Sequence, residues 1–178
     1  MERQSSNRGF YHSAMYYGTM LGIIWSIMYV LMFIGLKSPV LLLTCIALFI
    51  GSPFFAASFA KKYRRNECGN CIRYMQAFTF LYWMYICACL LSTLTIFLYF
   101  RFIDNGMFFA TMQEILTASM NLPGIDEAYR QQAEQVLQII RETTTSEFTW
   151  QILGNNIVNS SILPFIIAIF VRKNNKGQ

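Results

Sequence analysis

The sequence predicts an all-α membrane protein: four transmembrane helices, with an amphipathic helical hairpin between spans three and four on the outer side. Three observations carry that expectation. The stretches 9–36, 38–60, 74–100 and 148–171 contain no Asp, Glu, Lys or Arg and are rich in Leu, Ile, Phe, Met, Tyr and Ala. Each is long enough for a bilayer core about 30 Å thick, which a helix of about 20 apolar residues spans. The composition, 55% hydrophobic and 13% charged, lies outside the range of soluble domains. Finally, the one long polar segment, 104–147, repeats its apolar residues at helical spacing. With 178 residues, most of them inside the spans, the chain is expected to form a single domain.

Charge sets the expected orientation. If four spans alternate, the N-terminus, the 61–73 loop and the C-terminal tail share one side. That side holds Arg3, Arg8, Lys61, Lys62, Arg64, Arg65, Arg73, Arg172, Lys173 and Lys176 against Glu2 and Glu67, a balance of +8. The other side holds Lys37, Arg101, Arg130 and Arg141 against Asp104, Glu114, Asp126, Glu127, Glu134, Glu142 and Glu147, a balance of −3, which restores the net +5. Positive residues concentrate on cytoplasmic loops, so both termini are expected in the cytoplasm. Because the basic residues sort by membrane side, they are no nucleic-acid footprint, and no nucleic-acid partner is expected. The apolar run after Arg8 is too long for a signal-peptide core and no A-x-A-like site follows it, so the first span is expected to stay uncleaved.

Span one is placed at 14–36 and span two at 39–60, joined by Lys37-Ser38 alone, with Pro39 suited to a first helical position. Gly18, Gly22 and Ser26 form one row of small residues, and Ser52, Ala56 and Ala60 form another. Small rows let helix backbones approach closely in a membrane. On neighbouring hairpin arms they predict close packing of spans one and two. Span three, 75–103, reaches roughly 43 Å at 1.5 Å per residue, so it must tilt or project beyond the outer surface, with Arg101 snorkelling to the headgroups.

The 104–147 segment reads as two helices. Phe108, Met112, Ile115 and Leu116 mark the first, and Leu122-Pro123-Gly124 breaks the chain. The second opens on Asp126 and Glu127, acids suited to a helix N-terminus, and presents Tyr129, Ala133, Val136, Leu137 and Ile140 on one face before Thr143-Thr144-Thr145-Ser146 ends it. Its opposite face is acidic. The pair is therefore expected to fold over the span ends or dock a partner rather than lie on anionic lipid.

Span four, 148–171, is polar where the others are not. Gln151, Asn155 and Asn159 recur at i, i+4 and i+8, Asn156 and Ser160 make an adjacent row, and Pro164 is expected to kink the helix. Buried amides must be hydrogen-bonded. The conservative expectation is interhelical bonds of about 1 kcal/mol each, to spans one or three through residues such as Tyr16, Ser92, Thr93 or Thr95. The sharper one is a polar path or ligand groove. The Asn159-Ser160-Ser161 sequon lies inside this span, out of reach of glycosylation.

Cys68-Gly69-Asn70-Cys71 is a C-x-x-C, half of a four-ligand zinc site, with His12 the one other soluble-side candidate. On the cytoplasmic side these cysteines are expected to be reduced, and Cys45, Cys87 and Cys89 are expected to pack as small apolar residues. No metal or cofactor is expected. Lys61, Lys62, Arg64, Arg65 and Arg73 serve the positive-inside rule and could also contact a lipid phosphate or a protein partner. No ionisable residue lies in the middle of a span, which disfavours a proton- or cation-coupled transporter. Nothing in the sequence pairs carboxylates, cradles a phosphate or arms a nucleophile, so no enzyme is expected.

The tight first hairpin, the Tyr63-Arg64-Arg65 segment, the Phe100-Arg101-Phe102-Ile103-Asp104 exit from span three, the acidic outer helix pair and the amide-rich fourth span together resemble the domain of unknown function 4199 family. The resemblance covers essentially the whole chain. It implies a small four-span protein of a bacterial inner membrane, with no catalytic residues to carry over and an accessory role beside a polyprenyl-phosphate glycosyltransferase. The residues themselves point to a non-enzymatic accessory or scaffolding subunit that contacts membrane lipid and a protein partner, with a homo-oligomer left open. The alternative is a transporter or flippase of a neutral or lipidic substrate along the span-four amides.

Overall fold

The computed structural model describes residues 2–173, with side chains from residue 9 onward. Among these residues there are six α-helices: α1 (Glu2–Ile34), α2 (Pro39–Glu67), α3 (Tyr74–Tyr99), α4 (Met107–Met120), α5 (Glu127–Glu142) and α6 (Thr145–Val171). A 3₁₀ turn, Gly35–Lys37, extends α1, and a π turn, Phe100–Asp104, extends α3. Four segments are long and apolar enough to cross a membrane: Gly9–Lys37, Pro39–Glu67, Tyr74–Asp104 and Thr145–Val171. Lys176 lies outside the described residues, as do the side chains of Glu2, Arg3 and Arg8.

The four spans form a ring in which α2 meets α1, α1 meets α3 and α3 meets α6, closed by a sparse contact between α6 and α2. Helix α3 is the hub. Phe80, Leu81, Met84, Tyr85 and Ala88 along it are all fully buried. By contrast α2 is peripheral, with Val40, Leu43, Phe49 and Phe54 pointing outward where a bilayer would receive them.

Spans one and two do pack together, but not through their two small-residue rows, which do not meet each other. The α1 row faces α3. A Cβ on Gly18 would lie 2.7 Å from the Met84 carbonyl oxygen and from Cys87 Cβ, and one on Gly22 would lie 3.1 Å from Ala88 Cα. Ser26 and Thr95 share a hydrogen bond at 3.0 Å one turn further on. The α2 row instead receives the bulky side of α1: Ala56 and Ala60 join the core that holds Tyr17, Leu21 and Trp25, and Ser52 accepts the Trp25 indole N–H at 2.6 Å. Two rows of small side chains facing one another would leave little to interdigitate. Small against large fills the interface on both sides of α1.

One end of the bundle gathers the basic residues. The segment expected as a loop over 61–73 is helical up to Glu67, so Lys61, Lys62, Arg64 and Arg65 ride on the last turns of α2. The remaining connection forms an isolated antiparallel bridge between Ile72 and Lys173, with paired backbone bonds of 3.1 and 3.2 Å. Ser13 donates to Glu67 Oε1 at 2.5 Å, tying α1 to the same end. The start of α1, the α2–α3 connection and the end of α6 therefore share one side, as alternating spans require.

The hairpin closes the other end. Asn105 and Gly106, with φ of 46° and 83°, turn the chain from the π turn into α4. Buried Asp104 accepts the Phe108 amide N–H through Oδ1 at 3.0 Å and so caps that helix start. Phe108 drops into an aromatic cluster at ring separations of 5.1 Å from Phe33, 5.5 Å from Phe100 and 5.5 Å from Phe148. Helix α4 thus folds over the span ends as expected, whereas α5 packs mainly on α4. Ala133 is buried and Leu137 and Ile140 half-buried, but Tyr129 and Val136 on the same face stay exposed. Thr144 forms a capping box with Glu147, so α6 begins at Thr145, three residues before its expected start.

Candidate functional site

Two features at membrane depth follow from how α6 is turned. Its two polar rows, about 100° apart on the helix, have different surroundings. Asn156 and Ser160 point into the bundle and are buried, while Gln151 and Asn155 point outward and are exposed, with Asn159 half-buried between them. The Tyr29 hydroxyl donates to Asn156 Oδ1 at 2.9 Å. Span one thus supplies the interhelical bond, through Tyr29 rather than Tyr16. Ser92 and Thr95 are spent on backbone carbonyls of their own helix. The bond uses only half of the Asn156 amide: its Nδ2 is buried without a hydrogen-bond partner, as is Ser160 Oγ. Pro164 is buried within α6, which continues as one helix past it to Val171.

Asn156 and Asn159, one from each row, border a cavity of about 400 Å³ between α1, α2 and α6. Trp25 and Tyr29 line it from α1, Ser52 from α2, and Asn156, Asn159 and Leu163 from α6, with the outward-facing Phe49 and Phe54 at its open rim. It sits at the sparse α2–α6 closure of the ring. Pro53 also lines it and supplies no amide N–H to the carbonyl of Phe49 one turn back. Trp25, Ser52 and Asn156 each lie close to the middle of their spans. The walls are therefore largely aromatic and uncharged.

The outward row is of another kind. Gln151 and Asn155 flank Gly154, and a Cβ on Gly154 would meet nothing within 4 Å. This is a polar, close-approach surface facing away from the bundle.

At the basic end, Lys61, Lys62, Arg65 and Arg73 are exposed. Arg64 is not available in the same way, because its Nη1 donates to the Val171 carbonyl at 2.6 Å, holding the last turn of α6. A cation there also opposes the negative end of the helix dipole. The Ile72–Lys173 bridge brings Arg73 beside Arg172 and Lys173 around a shallow depression of about 1010 Å³. That grouping was not legible from spacing, since its members are a hundred residues apart. Cys68 and Cys71 are half-buried at the turn between α2 and α3. Burial raises the Cys68 thiol above its ordinary pKa and Glu67 adds to the rise, while a hydrogen bond from Tyr63 works against them. Among the described residues no three His, Cys, Asp or Glu side chains come together as a metal site.

Four apolar helices around a polar-lined seam, with an extramembrane helical cap, define a multi-pass integral membrane protein. The chain belongs to the family described as protein of unknown function (DUF4199), which matches it over residues 16–173. No curated protein and no solved structure matches it.

Proposed function

We propose that this protein is a non-enzymatic accessory subunit of a membrane complex, and that it docks a transmembrane helix of its partner along the outward face of α6. The observation that carries this reading is the pair of exposed amides, Gln151 and Asn155, around an open Gly154. Hydrocarbon offers an amide no hydrogen bond, and leaving it there costs several kcal/mol. A partner helix crossing at Gly154 supplies both the packing and the acceptors. The basic end faces the cytoplasm of a bacterial inner membrane and the hairpin faces the outside, in accord with the charge bias. There Arg73, Arg172 and Lys173 meet lipid phosphate or a cytoplasmic segment of the partner.

The test compares the wild-type chain with Gln151→Leu/Asn155→Leu, each purified in mild detergent from native membranes with quantitative mass spectrometry of what co-elutes. The expected result is a stoichiometric membrane enzyme with the wild type, a polyprenyl-phosphate glycosyltransferase being the class the family resemblance suggests. Its recovery should fall at least tenfold with the variant at unchanged thermal stability. Equal recovery from both would remove α6 from the interface, and a wild-type chain that elutes only with itself would replace the partner by a second copy.

A second reading, passage of a neutral or lipidic substrate, draws on the cavity beside Asn156 and Asn159. It expects Asn159→Leu to abolish transport in vesicles while partner recovery is untouched.

A further inference from the structure

We infer that the basic end binds an anionic phospholipid with two phosphates, a diphosphatidylglycerol, in the depression between the start of α3 and the end of α6. The Ile72–Lys173 bridge sets Arg73 beside Arg172 and Lys173 there, and all three are exposed. Their charge is uncompensated. No acidic residue lines the depression, and among the described residues the one ion pair is Lys37–Glu114, at the opposite end. Arg73 also stands at the N-cap of α3, where the helix dipole disfavours a cation. Arg64, at the same end of the bundle, is the contrasting case: it lies at the C-terminus of α6 and holds the Val171 carbonyl. The other three cations crowd together and hold no part of the fold in this way. A local rule broken without compensation marks a functional surface.

Depth and shape select the ligand. Tyr74 opens the third apolar span and Val171 closes the fourth, so Arg73 and Arg172 each stand one residue outside. That is the level of lipid phosphates, which basic pockets between transmembrane helices bind on the cytoplasmic side. The depression is broad, about 1010 Å³, and shallow, as suits a headgroup lying across two helix ends. Each guanidinium can take one phosphate through paired N–H donors, and Lys173 adds a third charge. A lipid with a single phosphate would leave most of that charge unpaired. On the membrane side, Tyr74 and Phe78 meet the exposed Phe165 edge-on at ring separations of 5.9 and 6.4 Å, an apolar face for acyl chains to follow. Lipid is thereby chosen over a partner segment at this end, resting on its proposed cytoplasmic placement and independent of docking at α6.

The test is the thermal midpoint of the purified, delipidated chain in detergent, titrated with tetraoleoyl diphosphatidylglycerol. A saturable rise is expected, at a concentration at least tenfold below that needed with dioleoylphosphatidylglycerol. Arg73→Ser/Arg172→Ser/Lys173→Ser should abolish the rise and leave the lipid-free midpoint unchanged. Lys61→Ser/Lys62→Ser/Arg65→Ser, which removes the same charge from the last turns of α2, should retain it. If the first triple variant does not fold, Arg172→Glu carries the test and should weaken the lipid at least tenfold. An equal response to the single-phosphate lipid, an equal loss in both triple variants, or an equal rise with inorganic pyrophosphate would each overturn the assignment. Displacement of the lipid by hexaglutamate at equal concentration would overturn it in favour of an acidic protein segment. Docking at α6 is read separately, by co-purification with Gln151→Leu/Asn155→Leu, so either can fail alone.

Discussion

Gly18 lies where α1 and α3 are held too close for a side chain, and spacing alone misassigns its role. Gly18→Leu would push its side chain into the Met84 carbonyl and Cys87, both 2.7 Å from a Cβ there. The backbone cannot yield as a flexible side chain can, so the variant should lose about 1–3 kcal/mol, read as a lower thermal midpoint in detergent. Leu at Gly154, where a Cβ meets nothing, should leave the isolated chain's midpoint unchanged. Cys68 supports a second expectation. Burial and Glu67 keep its thiol protonated to higher pH than an ordinary cysteine. At pH 8 it then carries less thiolate, and thiolate is the reactive form. In a chain with the other cysteines replaced by Ala, maleimide labelling at pH 8 should be slower than in the denatured protein, and the rate should rise only at higher pH. Equal rates would show a thiol open to water.

Among the elements, α6 shows most plainly what pattern reading does and does not reach. The amide rows were visible in the sequence as rows, and their helical spacing is what the structure contains. Which row faces inward was not visible, because Gln151–Asn155–Asn159 and Asn156–Ser160 are one residue apart in register and similar in polarity. Only packing against Tyr29 separates them. The capping box was present as Thr144-x-x-Glu147 and gives α6 its start. The end of α6 depends on α2: Arg64→Met removes the bond to the Val171 carbonyl and strands that acceptor, at an expected loss of about 1–3 kcal/mol. Arg65→Ser, at an exposed position, should change stability by no more than about 0.5 kcal/mol, and paired thermal melts separate the two. Arg64 thus joins two helices within the chain.

At the scale of the whole molecule, the two ends differ in how firmly they are built. The basic end is tied by the Ile72–Lys173 bridge, the Ser13–Glu67 hydrogen bond and Arg64. The hairpin end is held by the Phe108 cluster and by one exposed ion pair, Lys37–Glu114 at 2.7 Å. Both partners of that pair are about two-thirds exposed, so Lys37→Ala should cost less than about 1 kcal/mol. Phe108→Ala, by contrast, should release α4 and α5 together, seen as faster amide exchange throughout 107–142 with the spans still protected. Orientation is tested by single cysteines at exposed positions in whole cells. A cysteine at Glu134 should react with an impermeant maleimide, and one at Arg65 only after lysis.

Reading the chain residue by residue was enough for four apolar spans, for a basic side shared by the α2–α3 connection and the end of α6, and for a helical pair on the opposite side. Those properties follow from span length, charge placement and period, each of which is local and additive along the chain. Which faces meet came from packing: small rows against large side chains, Asn156 and Ser160 inward and Gln151 and Asn155 outward, Arg64 on the end of α6, and a cavity at the α2–α6 seam. In a membrane the lipid-facing side of a span is as apolar as the buried side. Hydrophobicity therefore cannot tell the buried face from the lipid face, and steric fit with hydrogen bonding makes the choice.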